Sequence, residues 1–109
     1  VLSNSMRLAV VGFSKSVSAE YAHIGITSNV IGPGYHDTAA VDRLFKKKAE
    51  AEHITHEEAK ARLVHSIPAG KMGRAGDFAL LACWLLSPAA QFVTGQVYLL
   101  DGGAVSATM

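Results

Sequence analysis

The residues best suited to chemistry are grouped in Gly32-Pro33-Gly34-Tyr35-His36-Asp37-Thr38, directly after a short β-branched run. This stretch offers an imidazole, a hydroxyl and glycines that let backbone approach a ligand closely. If the preceding run is a strand, the loop lies at a strand's carboxyl end, where open α/β sheets bind ligands. The plainer reading is a strand-to-helix turn with Thr38 capping the next helix, and taken alone that reading is the stronger. His53 and His56 bring to mind a metal site, but they flank a helix cap and lack a third convergent ligand, so no metal is expected. Lys46-Lys47-Lys48 is offset by Glu50, Glu52, Glu57 and Glu58 and reads as a solvated helix face rather than a phosphate contact. Cys83 sits in an apolar run without cationic neighbours, which predicts an inert core thiol. Phe78 and Trp84 in the same run read as core or interface packing.

The elements that would position these groups follow from periodicity and punctuation. Met6, Val10, Phe13, Val17 and Tyr21 make an i, i+3, i+4 stripe that predicts a helix over 3–23, with Gly12 inside it and Gly25 as its stop. A glycine in mid-helix costs about 1 kcal/mol against alanine, so close approach of a neighbouring helix is the expected compensation. Ile26–Ile31 is short, largely β-branched and enclosed by breakers, which predicts a buried strand. Helices follow over 39–52 and 55–66, the second opened by a Thr55/Glu58 capping box. Asp77 is the expected cap of an apolar helix over 78–86, and 97–100 is a second strand stopped by Asp101-Gly102-Gly103.

The chain has 109 residues, half of them hydrophobic, and a formal net charge of +1. Those values fit one globular unit and exclude a disordered tail. Acid and base nearly cancel, so no nucleic-acid partner is expected. The longest apolar run, Phe78–Leu86, falls far short of the roughly 20 residues a membrane-spanning helix needs, and no signal peptide is visible. With a single cysteine, Cys83, the expected setting is reducing and cytoplasmic. The chain begins at Val1 rather than Met, which suggests a fragment or a processed chain. Two strands with several helices cannot make a self-sufficient parallel sheet. Further strands are therefore expected from polypeptide N-terminal to this segment or from another chain.

Four segments in register resemble the short-chain dehydrogenase/reductase family. Asn29–Thr38 is similar to its N-x-I-x-P-G-x-x-x-T stretch, with the preceding His23–Thr27 as the helix-to-strand junction. Ile67-Pro68-Ala69-Gly70-Lys71-Met72-Gly73 is similar to its I-P-x-G-R-x-G connection, and Thr94-Gly95-Gln96 with Asp101-Gly102-Gly103 match its closing signatures. The resemblance spans nearly the whole chain, and its 3-oxoacyl-carrier-protein reductase-like members look most similar. It implies an α/β fold: residues 1–109 would be the C-terminal part of a Rossmann-type doubly wound parallel sheet, lacking the N-terminal dinucleotide-binding half. Residues 39–66 would be substrate-lid helices.

The resemblance also implies NAD or NADP as cofactor and hydride transfer to or from a carbonyl/alcohol or acyl-thioester substrate. Pro33, Gly34, Tyr35, His36 and Thr38 would form the cofactor-binding loop. Pro33 and Gly34 would shape the wall beside nicotinamide, with the His36 backbone and the Thr38 hydroxyl meeting its carboxamide or the pyrophosphate. In the family a Tyr and a Lys four residues apart on the first helix carry out proton transfer and hold the ribose. Counting back from Gly12 puts Ser3 at the Tyr position and Arg7 at the Lys position. Arg7 keeps a permanent charge able to bond a ribose hydroxyl or phosphate. Ser3 is a far weaker acid than a phenol, and its alternative role is simply the helix N-cap. His36 departs from the aliphatic residue usual at its position. It is either a substitute proton carrier or, more plainly, a backbone contact with its side chain in solvent. Because of Ser3, the competing reading is a catalytically impaired dehydrogenase-fold scaffold. The apolar helix over 78–86 and the strand over 97–100 predict a homo-oligomer, a dimer or tetramer.

Overall fold

The computed structural model describes residues 2–106. The elements run α1 (Leu2–Tyr21), β1 (Val30–Pro33), α2 (Ala39–Glu52), α3 (His56–Ser66), α4 (Ala75–Leu85) and β2 (Val97–Leu100). Among the described residues, no helix is long and apolar enough to cross a membrane. The strands pair as one two-stranded sheet. Val30 N–H donates to Gln96 O and Gly34 N–H to Leu100 O, both at 2.9 Å, so both strands advance together and run parallel. Alternation turns the odd-numbered Pro33 to the other edge, where its missing N–H costs no bond to β2.

The chain divides into two compact units. The first takes the residues up to Gly32 together with Leu80–Leu99. Here α1 is followed by a 3₁₀ turn, Ala22–Ile24, closed by left-handed Gly25 as its N–H bonds Ala22 O. The helix does not bury its apolar stripe in this chain: Phe13 is 71% exposed, and Met6, Val10 and Tyr21 are also exposed. Its buried residues are Ser14 and Ser18. Ser14 and Ser28 share a hydroxyl bond of 2.9 Å, and Thr94 donates its hydroxyl to Ser18 at 2.9 Å. The small serine lets Gly95 come close, since a Cβ there would lie 2.8 Å from Ser18 Oγ. Gly12, expected to admit a neighbouring helix, faces open space instead.

The first strand also begins later than its β-branched run predicts. Through Ser28 and Asn29 the chain pairs by side chains and single bonds rather than as a ladder. Ser28 N–H donates to Thr94 Oγ1, Gly95 N–H to Ser28 O, Asn29 Nδ2 to Val93 O, and Gln96 N–H to Asn29 Oδ1. In α4 only Leu85 is buried. Leu80 and Trp84 are exposed, as is Cys83, so Cys83 is not the core thiol expected.

The second unit takes Pro33–Ala79 and the residues from Leu100 onward. Thr38 caps α2 by accepting Val41 N–H at 3.4 Å, and His53 closes that helix in the left-handed region at φ 53°. The capping box of α3 is present as expected: Glu58 N–H donates to Thr55 Oγ1 and Thr55 N–H to Glu58 Oε2. Phe45, Ala49 and Ala59 are buried in this helical hairpin. Asp77 is not the cap of α4, which starts two residues earlier; it lies in the first turn and reaches back to Arg74 N–H at 3.1 Å. Ile67 is buried, and the Asp101-Gly102-Gly103 turn lies on it: a Cβ at Gly102 would meet Ile67 Cγ2 at 2.8 Å.

Candidate functional site

In the second unit Pro33, Gly34, His36 and Thr38 line one cavity of about 310 Å³ with Val41, Ala75 and Phe78. The chain reaches this cavity straight from the end of β1. Gly34 is held there by Leu100, and its missing side chain is required, because a Cβ would lie 2.6 Å from Asp101 Cα. Asp101 is fixed in turn: Val105 N–H and Gly103 N–H, each at 2.9 Å, hold its carboxyl below the ordinary aspartate range.

Beyond Gly34 the chain makes a one-residue parallel bridge to Gly73. Gly73 N–H donates to Tyr35 O at 3.0 Å, and Asp37 N–H donates to Gly73 O at 2.8 Å. Two bonds from the flanking residues turn the N–H and C=O of His36 to the opposite edge. No partner for either group is found among the described residues. The site therefore presents an adjacent backbone donor and acceptor beside a mainly apolar cavity, a pairing suited to a planar amide.

The His36 side chain is buried, not in solvent as expected, at 8% exposure. Its Nδ1 lies 3.1 Å from Gly34 O, and the ring meets Phe78 edge-on with centroids 6.3 Å apart. His36 also helps line a second cavity of about 230 Å³, with Lys71, Asp77 and Asp101. Tyr35 is exposed and does not line the first cavity; its contribution is the carbonyl bonded to Gly73. Ser3 and Arg7 belong to the other unit, one turn apart on α1 and both exposed. Ser3 lies inside the helix, so it is not the N-cap. Gly73 and Phe78 were missed as site residues. Gly73 is the closing glycine of the I-P-x-G-R-x-G connection, but nothing local shows that it faces His36.

The other candidates resolve as helix packing. His56 Nε2 lies 2.8 Å from Asp42 Oδ1, Lys46 pairs with Asp42 and Lys48 with Glu52. Among the described residues, no three His, Cys, Asp or Glu side chains converge as a metal site.

Comparison with known proteins adds a lineage to this geometry. The family model described as enoyl-(acyl carrier protein) reductase matches residues 3–105. The chain is 35% identical over 97 residues to the 3-oxoacyl-[acyl-carrier-protein] reductase of Haemophilus influenzae, covering 89% of this chain and 36% of that protein. A short-chain dehydrogenase family protein from Francisella tularensis superposes with a TM-score of 0.85 at 28% identity, over 91% of this chain and 41% of the other. A putative NAD(P)-dependent gluconate 5-dehydrogenase from Beutenbergia cavernae, with bound NADP, gives a TM-score of 0.75 at 33% identity, over 91% of this chain and 36% of the other. The chain thus spans well under half the length of the proteins it resembles.

Proposed function

Since the chain belongs to the short-chain dehydrogenase/reductase family, we propose that it supplies the nicotinamide side of an NAD- or NADP-dependent oxidoreductase site for a carbonyl/alcohol pair. The observation that carries this reading is the N–H and C=O of His36, without a partner among the described residues, in a residue that lines the cavity with Pro33, Gly34 and Thr38. A carboxamide offers the complementary acceptor and donor in one plane, so both backbone groups are satisfied at once. Bound nicotinamide would supply the hydride chemistry. This chain's residues would bind and orient it: Pro33 and Gly34 shape one wall of the cavity, and the Thr38 hydroxyl, which caps α2, is the group we assign to the carboxamide or a phosphate oxygen.

By likeness to the family's motif, Arg7 on α1 would be the permanent cation for a ribose hydroxyl or phosphate, and Ser3 would occupy the position of the proton-exchanging residue. A serine hydroxyl is a poor acid, so slow turnover is expected. The similarity to the Haemophilus protein makes a 3-oxoacyl thioester the first substrate to try, ahead of other ketones and alcohols. A cytoplasmic setting suits the exposed Cys83, which stays reduced there.

The test uses the full-length protein, titrated with NADH and NADPH and then assayed with 3-oxoacyl thioesters and a panel of ketones and alcohols. Binding of one cofactor and measurable turnover are expected. Arg7→Ala should weaken cofactor binding by about ten- to a hundredfold, the worth of a charge-assisted hydrogen bond. Absence of binding to either cofactor defeats the proposal. Cofactor binding with no turnover on any substrate would instead favour a scaffold, the reading that Ser3 supports.

A further inference from the structure

We propose that His36 is a positioning residue that latches the loop after β1, and that Gly73 is the partner its ring requires. The inference rests on the cofactor reading above and deepens it. Three observations carry it.

The first is chemical. Gly34 O lies 3.1 Å from His36 Nδ1, and a carbonyl only accepts, so Nδ1 carries the proton and donates. That bond sets the peptide plane between Gly34 and Tyr35, at a residue whose own backbone is the most permissive.

The second is steric. The ring lies so close to Gly73 that a Cβ there would fall 2.7 Å from both Cδ2 and Nε2. The main-chain bonds between Gly73 and Tyr35 and Asp37 hold the two segments at that distance. Phe78 closes the ring edge-on at 86°.

The third is a cost. His36 Nε2 is buried without a hydrogen-bond partner among the described residues. An aliphatic side chain of similar bulk would fill the space without that penalty. What imidazole adds, and an aliphatic side chain cannot, is the N–H to Gly34. The covered Nε2 also argues against His36 as a proton carrier. Its action is indirect: it holds the loop in the form whose His36 N–H and C=O have no partner among the described residues, so less ordering remains when a ligand binds.

The experiment compares full-length wild type with His36→Leu, which keeps bulk and loses the donor, and His36→Asn, which keeps an N–H near the Nδ1 position. Amide hydrogen exchange over residues 33–38 is followed without cofactor, and NADH and NADPH dissociation constants and thermal midpoints are measured beside it. The expected result is faster exchange and about tenfold weaker cofactor binding in His36→Leu, with most of both restored in His36→Asn. Gly73→Ala should weaken binding comparably, and His36→Ala added to it should cost little more, because both changes break the same latch. Wild-type exchange in His36→Leu overturns the latch, as does a binding loss that only tracks the thermal midpoint across all variants. Wild-type protein that binds neither cofactor overturns the cofactor reading, and the exchange result then judges the latch alone.

Discussion

At Asp77 one carboxylate takes the Arg74 guanidinium through Nη2 at 2.8 Å and Nε at 3.2 Å, and the Arg74 backbone N–H as well. The guanidinium first, then the backbone N–H, draw the Asp77 carboxyl from 3.8 down to about 2. A carboxyl depressed on folding stabilises the native state above its unfolded pKa and loses that contribution as pH falls through the folded value. The contribution of Asp77 is therefore complete above about pH 5 and vanishes towards about pH 2. The difference in urea midpoint between wild type and Asp77→Asn should be largest at neutral pH and close across that window; a gap independent of pH would show that the charge plays no part. His53 offers a prediction of opposite sign. It holds the left-handed region at φ 53°, where a Cβ is strained. His53→Gly should raise stability by about 1 kcal/mol in denaturant titrations and leave cofactor affinity unchanged.

Among the elements, α2 and α3 were the most legible in the sequence. Their bounds follow from local signals: the hydroxyl of Thr38, the Thr55/Glu58 box and the Ile67-Pro68 break each act within one turn of chain. What the sequence did not reveal is how the two helices meet, through Asp42 with His56 and Glu52 with Arg62 above buried Phe45 and Ala59. The exposed pairs contribute little, since solvent screens them and long side chains lose freedom in forming them. The apolar contact dominates. Phe45→Ala should destabilise the protein by about 3–5 kcal/mol, while Thr55→Ala should cost about 1 kcal/mol and Arg62→Ala less than about 0.5 kcal/mol. Equal effects from Phe45→Ala and Arg62→Ala in chemical denaturation would contradict this ranking.

For the molecule as a whole, the first unit leaves much apolar surface uncovered. Phe92 is fully exposed and Leu86 is 88% exposed, alongside Leu80, Leu99 and the α1 stripe. Surface of this kind marks a face that another surface covers. We expect the full-length protein to be a dimer or tetramer by light scattering, with Leu86→Glu or Phe92→Glu lowering the mass. A wild-type monomer, or charged variants with unchanged mass, would count against the assembly.

The amino-acid order alone determined much of what short-range physics controls: the helices α2 and α3 with their caps, the left-handed Gly25 after α1, and the glycine-proline loop at the end of the first strand. Tertiary structure decided which faces are used. The apolar stripe of α1 reads as a core face, yet Ser14 and Ser18 are buried, because hydroxyl partners and Gly95 lie on that side. Strand β1 starts at Val30 because Thr94, Val93 and Gln96 engage the residues before it. His36 reads as a loop side chain in water and is enclosed, since Gly73, far along the chain, has no side chain to keep it out. In each case the deciding partner is distant in sequence, and neither spacing nor composition records that distance in space.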